Sequence, residues 1–299
     1  MFKILNLCVL VFLTSPFYGY GQSSNKVAEA NLTKGINAFK NKDFNSAIIY
    51  YTRSIGSDPK GLLAYRGRGD TYFELTKYTE ALADYTKAIE LAPKDAFAYN
   101  NRGNAYSKLN KQAEALPDYT KAIELDPKGA EAYINRGDIY GGLGRHAEAI
   151  ADYTKVIELD TELVIAYYCR GNAYRDLKKY AEAIADYTKT IGLDPKLSKA
   201  YGNRGLVYYA LKKYPEAQAD YTKAIEIDPR ALYYVNRGLA YMYQKRTSEA
   251  LADYTKAIEI DPMYALAYNN RGLAYKFLGK TKEAKADLAK AKELEKSRD

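Results

Sequence analysis

The sequence contains few of the residues that usually build catalytic or metal sites. Its 299 residues include one histidine, two cysteines and no tryptophan. The histidine, His146, takes the place in its segment that Tyr180 takes in the next, so we expect it to replace a packing tyrosine. No group of His, Cys and carboxylate residues has the spacing of metal ligands, and no glycine-rich loop of the phosphate-binding type is present. The composition therefore predicts a protein that is not an enzyme and that needs no metal or cofactor.

Long apolar segments are also absent, apart from one short run near the N-terminus. Residues 4–13 are mostly apolar, follow Lys3 and precede a small-residue sequence at 19–21. This run is too short for a transmembrane helix, and its order is typical of a Sec-type signal peptide. We therefore expect residues 1–21 to be a signal peptide for secretion or export to the periplasm, with residues 22–27 as a short polar lead-in. An uncleaved signal that anchors the protein to a membrane is the alternative.

No stripe of one charge sign runs along the chain, although the net charge is +8. Lysines alternate with acids, as in Asp84, Lys87 and Glu90. Side chains spaced in this way on a helix form solvated pairs worth only a few tenths of a kcal/mol. A nucleic-acid-binding surface would need clustered cations. The charge pattern therefore argues against a nucleic-acid partner.

The feature that is present throughout is a fixed period, equal to the interval from Pro59 to Pro93. Prolines follow it at Pro59, Pro93, Pro127, Pro195 and Pro229, with Thr161 in the one skipped position. Glycines follow it at Gly35, Gly69, Gly103, Gly137, Gly171 and Gly205 and, after the loss of one residue, at Gly238 and Gly272. A fixed period of this length predicts a solenoid, in which each repeat stacks on its neighbours.

Each repeat has the pattern of two amphipathic helices. Tyr99, Gly103 and Tyr106 are spaced i, i+4, i+7 and therefore share one face of the first helix. The second helix has its own small and aromatic positions and ends at an Asp-Pro pair, because the residue before a proline is pushed out of the helical region. In the third repeat the recurring positions are Tyr99, Gly103, Tyr106, Ala115, Tyr119, Ala122 and Pro127.

This series of positions resembles the tetratricopeptide repeat (TPR) family. The resemblance implies an all-α fold, a TPR α-solenoid of eight helix-turn-helix repeats in a right-handed superhelix, with the first helices lining a concave groove. We expect one continuous array, capped at its end by Lys285 and Lys292 in place of apolar residues. The expected repeats are 28–61, 62–95, 96–129, 130–163, 164–197, 198–230, 231–264 and 265–298.

An arginine before the glycine and an aspartate in the second helix of the same repeat change together. Seven repeats have both, whereas the first has Lys34 and Tyr50. Because a guanidinium fits a carboxylate with two hydrogen bonds, we predict structural ion pairs between the two helices of each repeat. The pairs are Arg68–Asp84, Arg102–Asp118, Arg136–Asp152, Arg170–Asp186, Arg204–Asp220, Arg237–Asp253 and Arg271–Asp287.

The position two residues before the glycine is the first candidate for groove contacts. In the family, Asn at this position often lines the groove and binds the backbone of an extended peptide, since an amide both donates and accepts. The alternative is that this Asn bonds the neighbouring helix. Cys169 interrupts the series, and we leave open whether its thiol is reactive or merely half-exposed. The asparagines are Asn101, Asn135, Asn203, Asn236 and Asn270.

The position after the glycine is polar in repeats 2–5, at Asp70, Asn104, Asp138 and Asn172. In repeats 6–8 it is leucine, at Leu206, Leu239 and Leu273, with Tyr209, Met242, Tyr243 and Phe277 three and four residues further on. This change predicts a groove with a polar, partly acidic N-terminal half and an apolar C-terminal half. Apolar surface of this kind suits a hydrophobic peptide or an amphipathic helix. Packing between adjacent first helices, or in a homo-oligomer, would explain the same residues.

The sequence thus predicts a scaffold for protein–protein interaction that binds a peptide or helix segment in its groove. A glycan or cell-envelope polymer bound to the polar half is one alternative. A regulatory subunit of an envelope enzyme complex is another. The fold itself is shared by too many functions to choose among these.

Overall fold

A computed structural model describes residues 25–296, and within this range every regular element is an α-helix. The expected signal peptide, residues 1–21, lies outside the described residues. None of the described helices is long and apolar enough to cross a membrane. The helices are α1 Lys26–Lys40, α2 Phe44–Ser57, α3 Leu62–Glu74, α4 Tyr78–Leu91, α5 Ala96–Lys108, α6 Gln112–Leu125, α7 Ala130–Gly142, α8 His146–Leu159, α9 Val164–Asp176, α10 Tyr180–Leu193, α11 Ser198–Ala210, α12 Tyr214–Ile227, α13 Ala231–Tyr243, α14 Thr247–Ile260, α15 Ala265–Phe277 and α16 Thr281–Lys296.

The helices belong to two compact units that divide between Leu109 and Asn110. The first unit contains α1–α5 and the second contains α6–α16. Within each unit a helix contacts the next helix in the chain, and first helices of successive repeats, such as α11 and α13, also meet. This is the nearest-neighbour pattern of a solenoid, and the all-α solenoid of helix pairs that the period predicts is confirmed.

The first helix of a repeat ends in a Schellman motif, which satisfies its last carbonyl groups. After α11, the Lys212 amide donates to the Tyr209 carbonyl and the Lys213 amide to the Tyr208 carbonyl, each at 2.9 Å. Lys212 itself has φ +60°, the left-handed region. The motif reverses the chain within a few residues, so the second helix packs antiparallel to the first.

The second helix ends at the recurring Asp-Pro pair. Asp194, the residue after α10, leaves the helical region with φ −132°. Its carboxylate accepts a hydrogen bond from the Lys196 amide at 3.0 Å. This short turn carries the chain into α11, the first helix of the next repeat.

The two helices of a repeat meet where a glycine faces a tyrosine. Tyr187 on α10 is fully buried, and its ring lies against Gly171 on α9. A Cβ atom at Gly171 would lie only 3.0 Å from the ring. The glycine is therefore required by close approach of the two helices rather than by its backbone angles. The same contact occurs at Gly69 with Tyr85 and at Gly205 with Tyr221.

In most repeats a largely buried arginine connects the helix pair to the repeat before it. Arg204 Nε and Nη2 each donate to Asp220 at 2.8 Å, and Nη1 donates to Thr188 Oγ1 at 2.9 Å in the preceding repeat. The hydrogen bond with Asp220 raises the pKa of Arg204. Arg68, Arg136, Arg170, Arg237 and Arg271 make the same three contacts with their own aspartate and threonine.

Substitution of this arginine should be far more harmful than loss of a surface ion pair. The Arg204 and Asp220 side chains are 16% and 8% exposed, so Arg204→Ala leaves a buried carboxylate without its partner. We expect a loss of about 3 to 5 kcal/mol in the free energy of unfolding. The control is Lys223→Ala, which breaks an exposed pair with Glu226 in the same helix and should cost about 0 to 1 kcal/mol. Urea denaturation followed by circular dichroism measures both, and equal costs would contradict a stabilising role for the buried pair.

Candidate functional site

Hydrogen bonds along the first helices connect neighbouring repeats where the residue after the glycine is polar. Asp70 Oδ1 accepts from the Tyr85 hydroxyl at 2.8 Å and from Asn101 Nδ2 at 3.0 Å. Tyr85 lies on the second helix of the same repeat, and Asn101 lies on the first helix of the next. We call this arrangement the polar ladder. It uses the Asn101 amide inside the protein, as the alternative interpretation of the asparagine series expected.

The polar ladder continues in the second compact unit. Asn172 Oδ1 accepts from the Tyr187 hydroxyl and from Asn203 Nδ2, both at 2.8 Å. Asp138 accepts from the Tyr153 hydroxyl at 2.6 Å. Asn203, like Asn101, is therefore occupied by a neighbouring repeat. Asn104 and Asn135, which belong to the same two positions of the repeat, are half-buried.

Cys169 replaces an asparagine of the series and lies beside Tyr153 and Asp138. Burial, with a smaller contribution from the Asp138 carboxylate, raises the pKa of the thiol well above its usual range. The thiolate is the reactive form of cysteine. The surroundings of Cys169 therefore favour an inert thiol over the reactive one that the sequence left open.

The ladder stops where leucine follows the glycine. Asn270 is the asparagine of this series in repeat 8. The spacing from Leu239 to Asn270 equals that from Asp70 to Asn101, but the Leu239 side chain offers no hydrogen-bond acceptor. Asn270 Nδ2 is buried and has no hydrogen-bond partner among the described residues. The hydroxyl of Tyr254, the counterpart of Tyr85 and Tyr187, likewise makes no hydrogen bond within residues 25–296. An amide donor and a hydroxyl are thus left without partners in one place.

These two side chains line a cleft of about 290 Å³. Its other lining residues are apolar or aromatic, and no charged side chain belongs to the lining. Leu273 and Tyr243 are 49% and 60% exposed, so the cleft opens to solvent. The lining residues are Leu239, Met242, Tyr243, Tyr254, Asn270 and Leu273. We refer to this site as the Asn270 cleft.

Aromatic rings extend the Asn270 cleft toward repeat 6. The ring of Tyr243 stacks on that of Tyr214, with centroids 4.7 Å apart and planes 12° from parallel. Tyr209 meets both rings edge-on, with centroid distances of 5.5 and 5.7 Å. Leu206 and Phe277, on the first helices of repeats 6 and 8, are 38% and 71% exposed. The first helices of the C-terminal repeats therefore carry exposed apolar and aromatic side chains.

The alternative interpretation of these apolar residues also accounts for part of them. Leu239 and Met242 pack against the buried cluster of repeats 7 and 8 that contains Val235, Tyr254 and Ala267. They are half-buried, whereas Leu273 and Phe277 are exposed. Asn236, in the asparagine series, is half-buried as well. The structure thus divides the predicted groove residues into those that support the wall of the cleft and those that remain open.

The sequence shows where the polar residue after the glycine is lost, but not that Asn270 thereby loses its hydrogen-bond partner. The change from Asp or Asn to Leu is visible at Leu206, Leu239 and Leu273. The missing signal was the interval that pairs each such position with an asparagine of the next repeat. Only the three-dimensional contacts of Asp70 and Asn172 show that this pairing exists. Within the described residues, no group of three or more His, Cys, Asp or Glu could hold a metal ion.

The ladder carboxylate Asp70 should make stability depend on pH. Burial raises its pKa to about 6, although hydrogen bonds from Tyr85 and Asn101 oppose the shift. The unfolded chain titrates near pH 3.9, so the folded state binds the proton more tightly and stability falls as pH rises from about 4 to 6. Asp70→Asn keeps a neutral acceptor, as Asn172 does. We expect it to leave the free energy of unfolding unchanged near pH 4 and to raise it by about 1 to 3 kcal/mol at pH 7. Urea titrations across this range test it, and parallel profiles would refute it.

Family models agree with the repeat pattern along most of the described chain. A model described as TPR repeat matches residues 69–110 and 238–279. Models described as tetratricopeptide repeat match residues 96–128, 130–162, 164–197 and 198–230, and 265–298. No curated protein matches the sequence significantly.

Several solved structures share the fold. YrrB, described as a TPR protein with an unusual peptide-binding site, is 30% identical over 61% of this chain and 95% of its own, with a TM-score of 0.54. MamA is 26% identical over 58% of this chain and 95% of its own, with a TM-score of 0.53. A tetratricopeptide repeat protein from Parabacteroides merdae is 24% identical over 83% of this chain and 99% of its own, with a TM-score of 0.60, and supports the fold alone. The helix pairs, the matched models and these structures agree, and the chain belongs to the tetratricopeptide repeat family.

Proposed function

We propose that the protein is a non-enzymatic scaffold that binds a segment of another protein in the Asn270 cleft. The observation that carries this proposal is the buried, unpartnered amide of Asn270 in the lining of an open apolar cleft. An unsatisfied buried donor costs about 1 to 3 kcal/mol, which a ligand acceptor would recover. The description of YrrB as a peptide-binding TPR protein supports the same class of ligand.

The chemistry of the cleft selects the part of a protein that would bind. A backbone carbonyl supplies an uncharged acceptor for Asn270 Nδ2, and the Tyr254 hydroxyl can bond a neighbouring amide or carbonyl. The apolar walls suit an aliphatic or aromatic side chain, whose burial contributes roughly 1.5 to 3 kcal/mol. Because no charge lines the cleft, the group that enters it should be neutral.

The glycan alternative has weaker support from the polar repeats. It depended on Asp70, Asn104 and Asp138 as ligand contacts. Asp70 and Asp138 instead accept hydrogen bonds from tyrosine hydroxyls of their own repeats. Their acceptor capacity is thus partly used inside the protein. A role as the regulatory subunit of an enzyme complex would use the same cleft and is a special case of the proposal.

Removal of the Asn270 amide should improve stability and impair binding. A phage-displayed library of random peptides, selected on the purified protein, supplies the probe peptide. Asn270→Leu removes an unpartnered buried donor, so we expect the free energy of unfolding to rise by about 1 to 3 kcal/mol and the peptide affinity to fall about fivefold or more. Urea denaturation and fluorescence anisotropy measure the two effects.

Two matched controls and one further variant in the cleft complete this test. Asn203→Leu removes an amide that has two partners, Asn172 and Tyr168, so it should lower stability instead. Leu273→Asp should abolish peptide capture, whereas Leu143→Asp should not, because Leu143 is 52% exposed but lies outside the cleft. Equal peptide capture by Leu273→Asp and Leu143→Asp would contradict the proposal.

We also propose that binding takes place outside the cytoplasm, with residues 1–21 as a cleaved signal peptide. The order of Lys3, the apolar run and the small residues supports this proposal. Expression in the native cell followed by fractionation should recover the protein from the envelope or medium. Its N-terminus, read by mass spectrometry, should follow residue 21 or 22. An intact N-terminus retained with the membrane would instead support the uncleaved anchor.

A further inference from the structure

The turns after the first helices of repeats 5–7 hold lysine in a backbone conformation that favours glycine. Lys178, Lys212 and Lys245 have φ +60°. The same turn position is Gly144 in repeat 4 and Gly279 in repeat 8, with φ +74° and +73°, and in repeats 1–3 it is Lys42, Thr76 and Asn110. A side chain in this conformation costs free energy relative to glycine.

Each of these three turns has two consecutive cationic residues, and most of these side chains form no ion pair within residues 25–296. The next residue is Lys179, Lys213 or Arg246, and all six side chains are exposed. Arg246 pairs with Glu249 at 2.8 Å. The five lysines have no ion pair within residues 25–296. Unpaired cations on one edge of neighbouring repeats attract a negatively charged partner.

Two of these lysines, Lys213 and Lys245, are close in the chain to residues of the Asn270 cleft and of the ring stack beside it. Two of the cleft's lining residues, Met242 and Tyr243, are the last residues of α13, and Lys245 follows them in the turn after Gln244. The ring of Tyr243 stacks on Tyr214, and Lys213 is the residue before Tyr214. Lys213 and Lys245 are therefore close in the chain to the two stacked rings, and the lining of the cleft itself carries no charge.

We propose that the segment bound in the Asn270 cleft is an acidic one: an uncharged apolar anchor with Asp or Glu residues on the side that faces these turns. The inference rests on the proposed function and adds the charge and the orientation of the ligand. The anchor occupies the neutral cleft, and the flanking carboxylates meet Lys213 and Lys245. Exposed pairs of this type contribute modestly to affinity and strongly to the rate of association and to its salt dependence.

The composition of selected peptides provides the first test. Random peptides displayed on phage are selected on the purified protein and, in parallel, on a Lys213→Gln/Lys245→Gln variant. The expected result is a set of peptides with an apolar anchor and an excess of Asp and Glu on one side of it, and loss of that excess on the variant. Peptides whose flanks are neutral or basic would overturn the inference and leave the proposed function intact.

Synthetic peptides give the second test. One selected peptide is compared with a copy in which its acids are replaced by amides, using fluorescence anisotropy. The lysine variant should weaken the acidic peptide about threefold to tenfold at low salt, and the difference should vanish near about 1 M salt. The amide copy should bind both proteins equally. An acidic peptide that binds both proteins equally at low salt would overturn the inference.

A matched variant controls for net charge. Lys128→Gln/Lys196→Gln removes two exposed lysines from the Asp-Pro turns, at the opposite ends of the helices, and should leave binding of the acidic peptide unchanged. Equal weakening by this control would show a general charge effect and contradict the placement. If selection yields no peptide, the proposed function fails together with the inference. Binding of anionic phospholipid vesicles in that case would assign the turn lysines to a membrane surface.

Discussion

The buried pairing of arginine with aspartate is the interaction on which the rest of the structure depends. Arg204 holds Asp220 across the two helices of its repeat and Thr188 in the repeat before, so one guanidinium fixes three helices. Two charges in a buried position are stable only when their geometry is nearly ideal. The pair lies beside the glycine–tyrosine contact of its repeat, since Asp186 and Tyr187 both lie against Gly171. With the framework fixed in this way, residues on the open face of the first helices can change without loss of the fold.

That freedom is used at the position after the glycine. Where it is Asp70 or Asn172, the asparagine of the next repeat is bound and the face is satisfied internally. Where it is Leu239, Asn270 loses its partner and an apolar cleft replaces the hydrogen bonds. A single class of substitution thus converts a contact between repeats into a candidate ligand site. The asparagine itself does not change, and its role depends on a residue of the preceding repeat.

The sequence therefore predicted the fold more completely than the site. The fixed period was sufficient for the helix pairs, because each repeat supplies an independent copy of the same pattern. For the asparagine series the sequence left two roles open, and the structure shows internal bonding at Asn101 and Asn203 but not at Asn270. The sequence pattern did not predict a role for the lysines at the turns, since only backbone angles distinguish Lys245 from any other exposed lysine.

The amino-acid sequence by itself determined the helices, their order and their pairing, because these follow from local periodicity and from contacts within one repeat. It also determined the change from polar to apolar residues along the first helices. Only the tertiary structure decided which polar groups remain without partners, since that depends on side chains of different helices and different repeats meeting in space, as Tyr85 and Asn101 meet Asp70. The tertiary structure also decided the position of the Asn270 cleft beside the cationic turns. Hydrogen bonding and burial depend on distances in space, which a one-dimensional pattern does not contain.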